Sequence, residues 1–123
     1  MGRRFGRVPC DCVAVLSFPH RNATPRVKGR LIQIGGGGCA ITTEERLFIG
    51  EECLIWATGG GRKYLGVQGR VVWFKTIYEE GEKSIVGIEF LKSIELEKTL
   101  LKHLGARPDE AIPADVVTQD SEE

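Results

Sequence analysis

A length of 123 residues and a hydrophobic share of 41% suit a single domain with a small core. The formal net charge of zero removes any global pull toward DNA, RNA or an anionic membrane. No stretch reaches the ~20 consecutive apolar residues of a bilayer-spanning helix, and the charged start has no apolar run behind it. Neither membrane insertion nor a signal peptide is expected, and the expected location is cytoplasmic.

Residues 1–8 form a basic arm holding Arg3, Arg4 and Arg7. Charge is polarised along the chain: Arg21, Arg26, Lys28 and Arg30 extend the basic start against Asp11 alone, and Asp109, Glu110, Asp115, Asp120, Glu122 and Glu123 make the end acidic. Val8–Phe18 is mostly apolar and β-branched and predicts a first strand, ended by the turn chemistry of Pro19-His20-Arg21-Asn22. Arg26–Ile34 predicts a second strand of imperfect alternation, followed by the four glycines Gly35–Gly38. Cys39–Ile41 and Cys53–Trp56 predict short strands, with Gly59-Gly60-Gly61-Arg62 as a flexible loop after the latter. Leu65–Lys75, centred on Val71-Val72-Trp73-Phe74, is the strongest strand signal, and Ser84–Leu91 follows a charged turn at Glu79–Lys83.

The period then changes. Leu96, Leu100 and Leu104 recur every four residues, the spacing of one helix face. Ser93 is the expected N-cap, Glu95 and Glu97 suit the positive end, Lys102 and His103 the negative end, and Gly105 and Pro108 the stop. Residues 105–123 lack a period and are rich in charge, so a disordered acidic tail is expected there. Six short strands with glycine turns and one terminal helix predict an all-β fold: a small six-stranded antiparallel β-barrel with a C-terminal α-helix over residues 9–104. Function is expected at the barrel mouth or under the helix.

The functional groups are few. Arg3 and Arg7, four residues apart, offer planar forks of donors that match phosphate oxygens or the O6/N7 edge of guanine. The glycine run Gly35–Gly38 serves either as a sharp bend between strands or as bare backbone offered to an anion. No Gly-Lys-Ser/Thr follows it, which excludes a Walker-type phosphate loop. Trp73 reads either as a core residue or as a platform on which a base stacks. Cys10, Cys12, Cys39 and Cys53 each lie in or beside an apolar run, and buried reduced thiols without a metal are expected. His20 and His103 accompany no recognisable nucleophile, and no paired carboxylates stand in an apolar setting, so catalysis is not expected.

In order, an Arg-x-x-x-Arg arm, a glycine turn in the register Asp/Asn-x-Ser-x-x-Gly, the strand Gly69-Arg70-Val71-Val72-Trp73, the strand Gly87-Ile88-Glu89-Phe90 and a helix resemble the PilZ domain, a bacterial receptor module for cyclic di-GMP. The resemblance spans about residues 3–104. It implies that Arg3 and Arg7, with the adjacent Arg4, grip the phosphates and guanine edges of cyclic di-GMP. Gln33, Gly35 and Gly38 stand at the second motif, and only Gly38 matches the pattern. Gln33 replaces an acid or Asn, and Gly35 replaces Ser. Together these changes remove on the order of 2–4 kcal/mol of hydrogen bonding relative to an Asp-type member, roughly 30- to 1000-fold in affinity. Two functions follow: a receptor whose arm orders on binding cyclic di-GMP and signals to a downstream protein partner, or a degenerate adaptor that binds no nucleotide and acts through protein contacts. A barrel for single-stranded RNA fits less well, given the neutral charge and few aromatics.

Overall fold

A computed structural model describes residues 7–22, 25–59, 61–78, 81–96 and 98–105. Six strands follow one another along the chain: β1 (Val8–Ser17), β2 (Arg26–Ile34), β3 (Gly38–Thr43), β4 (Glu52–Gly59), β5 (Arg62–Ile77) and β6 (Lys83–Phe90), with the helix α1 (Lys98–His103) behind them. All pair antiparallel and close into a barrel in the order β1-β2-β3-β6-β5-β4. Closure leaves no end strand of the sheet exposed along its whole length.

The closure follows from the alternation in the strands. In β1, Val8, Cys10, Cys12, Ala14 and Leu16 are buried at every second position, and in β4 so are Cys53, Ile55 and Ala57. They meet Leu31 and Ile34 of β2, Ile41 of β3, Val71 of β5, and Val86 and Ile88 of β6 in one apolar cluster. The helix adds Leu101 to it and the turn after the helix adds Leu104, while the Asp11 N–H donates to Leu104 O at 3.1 Å. Gly105 ends the helix with φ of 64°, and a Cβ there would stand 2.8 Å from Asp11 O, so the stop needs glycine on both counts.

Two local expectations are corrected. Gly59 and Arg62, expected in a loop, instead pair with each other as the ends of β4 and β5, and Gly61 has φ of 79°. The helix does not start at Ser93. The Ile94 N–H donates to Gly36 O at 2.8 Å, which holds residues 91–96 in a non-helical connection, and the first helical residue is Lys98. Leu96 and Leu100 still pack against the core, so their helical spacing reports burial but overstates the helix. Glu97 and residues 106–123 of the expected tail lie outside the described residues.

Candidate functional site

Of four register shifts in the barrel, two, in β2 and β5, bear on the candidate residues. In β2, Leu31 pairs with Ile41 but Gln33 pairs with Ala40, so β2 holds one residue more than β3 over that stretch. Strict alternation from buried Leu31 would turn Gln33 inward; the extra residue turns it outward and returns Ile34 to the core. In β5, Val71 pairs with Ile88 but Trp73 pairs with Gly87, a second bulge of the same kind. It brings Trp73 to the outer face.

The register then lines up one row across the outside of the barrel: Pro9, Gln33, Ala40, Gly87 and Trp73. Ala40 and Gly87, between Gln33 and Trp73, are small and both are buried, Gly87 beneath the Trp73 ring. At ~4.8 Å per strand step the two end residues stand roughly 14 Å apart along the wall. The Trp73 indole lies over Gly87, where a Cβ would meet its ring atoms at 2.1 Å. Trp73 is half-buried. It is therefore not a core residue.

Arg7 sits just ahead of β1 and its guanidinium donates to Gln33 Oε1 at 3.2 Å. Two candidate residues from separate motifs thus meet on the outer face, next to the start of β1 and the end of β2. Arg3 and Arg4 lie outside the described residues.

The glycine turn is used mainly through its carbonyls. Gly36 O accepts from Ile94, Gly37 O accepts the Phe90 N–H at 2.9 Å, and Gly38 O accepts the Gly35 N–H at 2.8 Å. Gly35 is buried, so its amide is held within the turn. Gly38 is required by close approach: a Cβ there would lie 2.4 Å from Ile88 O. None of the four has positive φ. The turn thus ties the end of β6 and the approach to α1 to the edge of the Gln33 site.

The cysteines lie elsewhere. All four are free and buried in the core, Cys10 and Cys12 sharing one face of β1 as their spacing predicts. Burial pushes the Cys39 and Cys53 thiols up, Cys53 to about 12, and raises Cys12 as well. Among the described residues no group of His, Cys, Asp or Glu is arranged to hold a metal ion. His103 stacks on Tyr64 with ring centroids 4.6 Å apart, and His20 is exposed in the β1–β2 turn.

A guanidinium, a side-chain amide and a half-buried indole on one outer row can hold a flat ligand by stacking and its anionic edge by charge-assisted bonds. Sequence reasoning places Gln33 and Trp73 among the candidates but misses Ala40 and Gly87. The available signal was a small residue at an outward-facing position of each of two adjacent strands.

The family model for the PilZ domain matches residues 2–107. A search of curated protein sequences returns no significant match. Among solved structures, the PilZ domain with c-di-GMP of YcgR from Escherichia coli superposes with a TM-score of 0.58 at 12% identity, over 98% of this chain and 94% of that one. YcgR in complex with c-di-GMP from Escherichia coli gives a TM-score of 0.56 at 13% identity, over 83% of this chain and 42% of that one. At these identities the likeness is one of fold. No described helix is long and apolar enough to cross a membrane.

Proposed function

The chain belongs to the PilZ domain family, and from that premise we propose that it is a cytoplasmic bacterial receptor for cyclic di-GMP, not an enzyme, which takes its ligand on the outer wall between Arg7 and Trp73. The observation that carries this reading is the bond from Arg7 to Gln33 Oε1. It joins the arginine motif to the glycine-turn motif with the guanidinium already directed at the wall. A phosphate, being charged and able to accept two parallel bonds, competes well against a neutral amide oxygen for that guanidinium. Arg3 and Arg4 would close over the ligand from the arm, Gln33 and the turn up to Gly38 would line one side, and a guanine would stack on Trp73. Ordering of the arm would be the output read by a downstream protein partner.

A second reading, a PilZ adaptor that binds no nucleotide, draws on the turn. Gly35 brings no hydroxyl and its amide is spent on Gly38 O. Calorimetric titration with cyclic di-GMP, beside the Arg3→Ala/Arg7→Ala variant, separates the two. Heat from the parent that is lost in the variant supports the receptor. Silence from a parent verified as folded by circular dichroism removes that reading and leaves the adaptor.

A further inference from the structure

β5 is the longest strand, and its far end runs on past its neighbour. Pairing with β4 ends at Glu52–Arg70, while pairing with β6 continues to Ile77–Lys83. Beyond Val71, the registers give β5 a partner on one side only. Phe74 pairs with Val86, whose side chain is in the core, and Thr76 pairs with Ser84. Their common face therefore continues the barrel interior into an overhanging hairpin.

The connection between β3 and β4 lies opposite this overhang. Its Leu47 is buried, but Phe48 is 58% exposed and Ile49 63%, facing Phe74 at 48%. Together they line a groove of about 470 Å³ that Val86 floors. Adjacent large apolar side chains on a slack loop would collapse onto the surface, but this loop is clamped. The Phe48 N–H donates to Glu51 Oε1 at 3.1 Å, the Glu51 N–H returns to Phe48 O at 3.1 Å, and the Gly50 N–H donates to Val71 O at 2.7 Å. Glu51 is itself gripped by Arg21 at 2.6 and 2.7 Å, with the Arg21 guanidinium stacked 4.1 Å over the Phe18 ring. The apolar pair is thus held outward by fixed backbone, the arrangement of a preorganised contact surface.

Charge selects the occupant. Glu44, Glu45 and Glu82 line the groove with Arg46. Glu44 and Glu45 also border Arg26, Lys28, Arg30 and Lys83 on the neighbouring face, but among the described residues none of the three carboxylates is in an ion pair. We propose that this groove is a docking surface for a linear segment of a partner protein, apolar in its middle and carrying Lys or Arg on its flanks. Apolar side chains of the segment fill the space between Phe48, Ile49 and Phe74, and its basic flanks meet the three carboxylates. A second copy of this chain docking through the same face would set acidic rim against acidic rim, which disfavours it. The proposal does not depend on nucleotide binding beside Arg7 and Gln33.

The test uses the full chain and two synthetic peptides that share an apolar centre of Val and Phe, one flanked by lysines and the other by glutamates. The lysine-flanked peptide is expected to bind at least about tenfold more tightly, with amide shifts in NMR spectra confined to residues 44–50 and 72–86. Phe48→Ser/Ile49→Ser, both at exposed positions, should weaken it about tenfold or more. Glu44→Lys/Glu45→Lys should abolish the preference for lysine. Equal binding of the two peptides, shifts that map elsewhere, or no binding to protein verified as folded would overturn the proposal. So would a dimer in sedimentation that Phe48→Ser/Ile49→Ser dissolves, since the groove would then belong to a second copy.

Discussion

The Arg7 guanidinium and the Gln33 side-chain amide, 26 positions apart in the chain, are joined by a hydrogen bond of 3.2 Å on the outside of the barrel. The bond exists because the bulge in β2 turns Gln33 away from the core, toward the stretch of chain that leads into β1. It ties Arg7, at the start of β1, to Gln33, at the end of β2.

From that geometry, Arg7→Ala should weaken cyclic di-GMP binding by about 10- to 150-fold, the worth of one charge-assisted contact of ~1.5–3 kcal/mol. Stability should fall by about 0.5–1.5 kcal/mol, the worth of the part-buried hydrogen bond to Gln33. Gln33→Asp should tighten binding, because a carboxylate accepts from a guanine edge more strongly than an amide does. Calorimetry reads the affinities and urea denaturation the stabilities; an Arg7→Ala variant with parental affinity would dismiss the wall as the site.

Gly87 carries the Trp73 indole, and an added Cβ would lie 2.1 Å from it. Gly87→Ala must therefore displace the ring, at ~1–3 kcal/mol by the usual cost of overpacking. In a Trp56→Phe background, the remaining emission reports Trp73 alone and should shift with the substitution. A variant with unchanged emission and unchanged urea midpoint would mean the indole does not rest on Gly87.

The clamp beneath the β3–β4 connection should be sensitive to acid. The Arg21 guanidinium, through its hydrogen bonds to Glu51, holds that carboxyl below its usual range. A carboxyl depressed in the folded state contributes stability that is fully present above the ordinary carboxylate value of about 4.3. The contribution is lost as pH falls through the depressed folded value. At neutral pH, Glu51→Gln should cost about 1–3 kcal/mol, and the gap between parent and variant in urea midpoint should close in acid. A gap that stays constant with pH would show that the charge is not what matters.

Burial pushes the Cys53 thiol up to about 12 and raises Cys39 too, so neither supplies thiolate near pH 8, where an ordinary thiol begins to ionise. Ellman's reagent should label these two positions only after denaturation, as read by mass spectrometry of digested protein. Rapid labelling of either in the folded chain would contradict their place in the core.

The alternation in β1 and the apolar centre of β5 locate those strands from sequence, because each side chain reports its own exposure at a period of two. The stop at Gly105 is equally local, since a left-handed φ and a close neighbour both demand glycine there. The start of the helix is not local. Ser93, Glu95 and the leucine spacing all favour an earlier start, and a single bond from Ile94 to Gly36 overrides them.

The candidate site divides the same way. Arg7, Gln33 and Trp73 are recognisable as residue types suited to a planar anion. The strand order of the family-like motifs is also written in the chain, down to the substitution of Gln33 and Gly35. Which way Gln33 and Trp73 face is a different matter. Both directions are set by bulges, and a bulge is a mismatch in count between two paired strands, so it has no expression in either strand alone. The row through Ala40 and Gly87 comes together only once β3 and β6 are neighbours. The exposed face of Phe74 arises because β5 outruns β4. Periodicity along one strand carries burial; relations between strands distant in sequence carry the site, and those come into being when the barrel closes.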